Sequence, residues 1–132
     1  MTVLRVGLAA LKICKSIDEG IEKISGCLIE CNKQNVDIVC FPEAYLPGLR
    51  GSVLQLPPVN QKAMEDALKT IQEQCRSNKI NAIVGMEWLT DIGLENRAFV
   101  ISSLGDVLGY QTKNQITPGG ESENYVAEEP SP

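Results

Sequence analysis

Few residues in this chain can do chemistry. Histidine is absent, and cysteine occurs five times. The most pointedly placed carboxylate is Glu43, directly after Phe41 and Pro42. Before it, Val36, Ile38, Val39, Cys40 and Phe41 surround a single acid, Asp37. A short apolar run rich in β-branched residues reads as a strand buried on both faces. Pro42 cannot donate to a ladder, so the strand is ending there. Glu43 is thereby set at the C-terminal mouth of a buried strand, where open α/β sheets bind ligands. A carboxylate in such a place can serve as an acid or base. It can equally cap the next loop or pair with Arg50. Position alone leaves both readings open.

A second titratable group stands at a predicted strand end. Lys113 follows Gly109, Tyr110, Gln111 and Thr112; a lysine there is ordinarily a solvated surface residue. The thiols (Cys14, Cys27, Cys31, Cys40, Cys75) form no CxxC pair, and zinc would have to be held by thiolates and carboxylates alone. Cys27 and Cys31 lie one helical turn apart, but two ligands do not make a site. The thiols read as small buried hydrophobes in a reduced compartment. No metal and no cofactor are expected.

The elements that must position Glu43 and Lys113 follow from patterning. Residues 3–9 partly alternate and give a first strand. Ser16 with Glu19 is a capping box, and Ile17, Ile21, Ile24, Leu28 and Cys31 then recur at helical spacing, predicting an amphipathic helix that ends near Asn32 and Lys33. The strand before Glu43 completes a βαβ unit, with parallel strands. Residues 44–58 form a long loop whose prolines, glycines and apolar residues predict ordered packing; such loops are usually functional. Asn60 caps a second helix with Met64, Leu68, Ile71 and Cys75 on one face. Further strands are predicted over 80–88, 96–102 and 107–112, the first two joined as a hairpin. The expected fold class is α/β: a mixed β-sheet with helices on one face.

The 132 residues suffice for one domain with one core. The net charge of −5 argues against nucleic acid or an anionic membrane as partner. Four of the acids, Glu121, Glu123, Glu128 and Glu129, fall after Gly119 with no base among them. No apolar run reaches the length of a membrane span, and no signal peptide is evident, so a cytoplasmic location is expected. The domain is expected over 1–121, with 122–132 an acidic, extended or disordered tail.

Taken in order, the motifs are more specific than any one alone. Phe-Pro-Glu (41–43) ends a strand. Asn-Arg-Ala-Phe-Val-Ile (96–101) runs into a turn at Gly105. Gly-Tyr-x-x-Lys-x-x-Ile-x-Pro-x-x-Glu then spans 109–121. This ordered set resembles the nitrilase superfamily, the carbon–nitrogen hydrolases, from Val3 to about Glu121. The resemblance implies half of a nitrilase-like α-β-β-α sandwich and Glu-Lys-Cys chemistry on a small-molecule amide or nitrile. Carried over, Glu43 is the general base for a cysteine thiol and then for water. Lys113 stabilises the oxyanion of the tetrahedral intermediate. Glu121 is the supporting second glutamate, with Glu123 as the nearby alternative.

The pattern departs from the family in one respect. The family's nucleophilic cysteine lies beyond the lysine, and no cysteine follows Lys113. Cys40 is nearest to Glu43 in sequence, but as a core residue of its strand. The resemblance thus implies the N-terminal half of a hydrolase, inactive by itself. The alternative is a non-catalytic module whose uncovered sheet face drives pairing with a partner chain or a homo-oligomer. A small thiol-based redox or metal protein fits the cysteine spacing poorly.

Overall fold

The computed structural model describes residues 2–127. Strands β1 (Val6–Leu8), β2 (Ile38–Cys40), β3 (Asn81–Thr90), β4 (Gly93–Ile101) and β5 (Val107–Thr112) form one sheet in sequential order. The pairs β1–β2 and β2–β3 are parallel; β3–β4 and β4–β5 are antiparallel. Helix α1 (Ile17–Lys33) connects β1 to β2, and α2 (Gln61–Asn78) lies between β2 and β3. This is the expected mixed sheet, a βαβα unit followed by an antiparallel meander.

Both helices begin where the sequence signals them. The Ser16 hydroxyl accepts the Glu19 N–H at 3.1 Å, and the Asn60 side chain accepts the Ala63 N–H at 3.1 Å. Each satisfies one of the orphan donors of a helix start. Replacing either cap by alanine should cost about 1 kcal/mol, read as a lower urea midpoint at unchanged slope. An unmoved midpoint would mean that water serves these ends equally well.

The helices cover one face of the sheet. Ile24 and Leu28 of α1 and Met64, Ala67, Leu68, Ile71 and Cys75 of α2 are buried there with Val39, Ala82, Val84, Phe99 and Ile101. Strand register assigns the other face. Leu8, Cys40, Ile83 and Val100 form one row across the sheet. Leu8 is 82% exposed and Val6 55%, while Ile38, Cys40, Ile83, Ala98 and Val100 are only half-buried. The expectation that the strand before Glu43 is buried on both faces is therefore corrected: Val39 is buried under the helices, whereas Ile38 and Cys40 face the uncovered side.

The loop after β2 is packed in its first part. Ala44, Tyr45 and Leu46 are buried, and Leu46 bridges to β3 through the Gly85 carbonyl and the Glu87 N–H. Further along, Val53 is almost fully exposed. Beyond the boundary expected at residue 121, the described chain still touches the sheet. Residues 121–124 form a turn, the Tyr125 ring is buried, and the Val126 N–H donates to the Leu94 carbonyl at 2.9 Å. The buried Tyr125 ring and the Val126 bond to Leu94 bring this acidic segment back onto the sheet. The rest of the expected tail, residues 128–132, lies outside the described residues.

Candidate active site

Glu43, Lys113 and Glu121 meet on the uncovered face. The Lys113 ammonium donates to Glu43 Oε1 at 2.9 Å and to Glu121 Oε2 at 2.8 Å. Lys113 is held by the sheet: it continues β5, and its N–H donates to the Asn96 carbonyl. The Asn96 side chain donates to the same Glu43 oxygen, Oε1, at 2.9 Å. Among the described residues, no protein group donates to Oε2. Glu43 is thus pinned by one oxygen and presents the other. Its side chain is 53% exposed, against 13% for Glu121. Glu43 is the accessible carboxylate and Glu121 the sheltered one.

Backbone geometry explains how Glu43 reaches this position. Gly85 of β3 lies directly beneath the turn after β2; a Cβ there would sit 2.5 Å from the Pro42 carbonyl oxygen and 2.6 Å from the Ala44 nitrogen. Only glycine lets the strand pass so close. Ala44 adopts a positive φ of 46°, turning the chain sharply after Glu43.

The charges reinforce one another. Its hydrogen bond to Glu121 first, and to Glu43 second, hold the Lys113 ammonium above the ordinary lysine range. The same Lys113 contact holds the Glu121 carboxyl below the usual range, helped by the Thr117 N–H. By linkage, Glu121 stabilises the fold above its unfolded pKa and loses that contribution as pH falls through its lowered folded value. Lys113 does so below its unfolded pKa and loses it as pH rises through its raised folded value. Lys113 and Glu121 are therefore both charged throughout the neutral range.

Glu43 and Lys113 line a cleft of about 390 Å³, with Cys40, Pro42, Ile83 and Asn96 among its other walls. Cys40 is thus on the wall of the cleft and not in the core; its Sγ lies 3.7 Å from the Phe41 carbonyl oxygen. Cys14 and Cys75 are buried, and burial pushes the Cys75 thiol up to about 11. Cys27 and Cys31 sit with sulfurs 3.9 Å apart on α1. Among the described residues no group of His, Cys, Asp or Glu could hold a metal ion, and no helix is long and apolar enough to cross a membrane.

Arg50 does not pair with Glu43. Its guanidinium is taken by Glu87, which removes one of the ordinary readings of Glu43. Glu123 is exposed, and Glu121 alone of the two contacts Lys113. Asn96 stood in the sequence pattern without a role; only the β4–β5 register shows that it lies beside Lys113. Glu87 carried an unused signal, since a charged residue inside an otherwise apolar strand must find a buried partner.

A model of the carbon–nitrogen hydrolase family matches residues 5–131. The chain belongs to the carbon–nitrogen hydrolase family. No curated protein matches it in sequence. Among solved structures, the carbon–nitrogen hydrolase fold is shared with an amidase from Nesterenkonia sp. AN1 (TM-score 0.81, 16% identity, 97% of this chain and 51% of the other). A carbon–nitrogen hydrolase from Helicobacter pylori G27 is similar (TM-score 0.82, 17% identity, 96% and 45%). So is a glutamine-dependent NAD+ synthetase from Acinetobacter baumannii (TM-score 0.81, 24% identity, 96% and 24%). The chain spans about half the length of the amidase and of the Helicobacter hydrolase.

Proposed function

We propose that this chain is the Glu- and Lys-bearing half of a thiol-dependent hydrolase of small non-peptide amides or nitriles. The observation that carries the reading is the Lys113 ammonium bridging Glu43 and Glu121 at 2.9 and 2.8 Å in the wall of an open cleft. Glu43 takes the thiol proton through its free oxygen. The thiolate attacks the substrate carbon, and Lys113 stabilises the charge that develops on the carbonyl oxygen. For an amide, the proton on Glu43 then passes to the departing ammonia, leaving a thioester. Glu43 next takes a proton from water, which attacks the thioester; acid leaves and the thiol is restored. Glu121 keeps Lys113 charged and fixed throughout. In the Nesterenkonia amidase, acrylamide adds to an active-site cysteine, and a mutant binds butyramide; both support thiol chemistry on a small amide.

The thiol comes from outside residues 1–132 in this reading. The chain alone should therefore hydrolyse no simple aliphatic amide, by ammonia release. Turnover that Cys40→Ala abolished would overturn this, by making Cys40 the nucleophile.

The uncovered sheet face favours a second reading, a module that pairs with another chain. Exposed Val6 and Leu8 lie beside the half-buried Ile38, Cys40, Ile83 and Val100 on this face, a contiguous set of apolar side chains of the kind that marks an interaction surface. Sedimentation should show concentration-dependent association. A monomer at high concentration would remove this reading without touching the first.

A further inference from the structure

Arg50 ties together three separate parts of the chain. Its Nε donates to Glu87 Oε2 at 2.6 Å and its Nη2 to Glu87 Oε1 at 2.9 Å, a bidentate pair on β3. Nη2 also donates to the Pro57 carbonyl at 2.7 Å, and the Arg50 backbone N–H donates to the Tyr125 hydroxyl at 2.9 Å. The pair is sheltered, with Arg50 12% and Glu87 1% exposed. The next residue, Gly51, lies against Gly120: a Cβ on either would fall 2.1 Å from backbone atoms of the other. The loop that starts at Glu43 thus touches the C-terminal turn on both sides of Glu121, at Gly120 before it and at Tyr125 after it. Within the turn, the Asn124 and Tyr125 N–H groups donate to the Glu121 carbonyl at 3.0 and 2.8 Å.

We propose that Arg50 is a positioning residue for the site: anchored on Glu87, and acting through Gly51 and Tyr125, it holds the turn of residues 120–125 so that Glu121 meets Lys113. One loop thereby sets both carboxylates, Glu43 directly and Glu121 through the clamp. This rests on the reading of Glu121 as the working partner of Lys113. Packing supports it. Thr117 and Lys113 meet the turn only at the Glu121 carboxylate, not at its backbone, and the Val126 N–H donates to β4. Among the described residues, Arg50, Gly51 and Tyr125 are what join the turn's backbone to the Glu43 loop.

The test is an NMR titration of the Glu121 carboxyl and the Lys113 ammonium in the 132-residue protein. The variants are Tyr125→Phe, Arg50→Met and the double variant Arg50→Met with Glu87→Met. The double variant leaves no unpaired buried charge, so it remains informative if Arg50→Met does not fold. The native protein should show Glu121 titrating below the ordinary glutamate value and Lys113 above the ordinary lysine value. In the variants both should move back toward those values. The Lys62–Asp66 pair on α2, joined at 2.7 Å and remote from the clamp, should not move. An anchor with a merely structural role would lower the melting temperature and leave both titrations where they were, which would overturn the proposal. Ordinary titration of Glu121 in the native protein would instead overturn the underlying reading of Glu121, and the proposal with it.

Discussion

Glu43→Gln should lower amide hydrolysis by about 10²- to 10⁴-fold, the usual worth of a positioned acid–base group, in any assembly that supplies this chain with its thiol. The substitution isolates basicity from geometry. Lys113 and Asn96 both donate to Oε1, and an amide oxygen can accept both bonds. What is lost is the second oxygen, the one that accepts from no described protein group and takes the proton in this reading. The Lys113–Glu121 contact at 2.8 Å does not involve Glu43 and should survive. Ammonia release, measured with protein shown to be folded, checks the prediction. A loss smaller than tenfold would remove Glu43 from the role of general base. Asn96→Ala offers a contrast, because it frees the Glu43 side chain without removing the base. Its rate should fall less than that of Glu43→Gln.

The largest effect on stability should come from Glu87→Ala. Glu87 is 1% exposed and meets the Arg50 guanidinium with both oxygens. Removing it leaves a largely buried cation without its partner, which typically costs about 3–5 kcal/mol. Arg50 keeps its bond to the Pro57 carbonyl, but a neutral acceptor does not replace a carboxylate. Urea unfolding gives the measurement. The double variant Arg50→Met with Glu87→Met should lose less than Glu87→Ala alone, because apolar side chains of similar volume leave no charge stranded. A loss below about 1 kcal/mol in Glu87→Ala would show that Arg50 reaches water when released, as surface ion pairs do.

The two predictions concern one piece of machinery. The turn after β2 presents Glu43, and the loop that continues from it carries Arg50. Gly85 beneath that turn and Glu87 two residues further along β3 fix its two ends. β3 is therefore the base plate for the base and for the clamp, while β4 and β5 supply Asn96 and Lys113. Glu43 stands on the tight turn after β2 and Lys113 directly after β5, where the sheet holds both, as a preorganised site requires.

Much of this was legible from the sequence because it is local. The Ser16 and Asn60 caps, the spacing of Ile17, Ile21, Ile24 and Leu28, and the turn around Gly105 each act within a few residues. They marked both helices, the last strand and the sequence of elements along the chain, and the ordered motifs named the family. Glu43 and Lys113 could be picked out because strand ends are visible as breaks in apolar runs. Other features depended on which chain segments face one another. Arg50 stands seven residues after Glu43 and was a natural partner for it, yet it turns to Glu87 on the neighbouring strand. Asn96 and Glu43 are far apart in the chain and meet only through sheet register. Glu121 and Glu123 look alike in sequence; the turn closed by Tyr125 sends one carboxylate to Lys113 and the other to solvent. Cys40 read as a core residue, but strand alternation places it on the face that the helices leave open. Periodicity says which residues share a face of an element. Which face is covered, and which charges meet across the sheet, is decided when the elements pack.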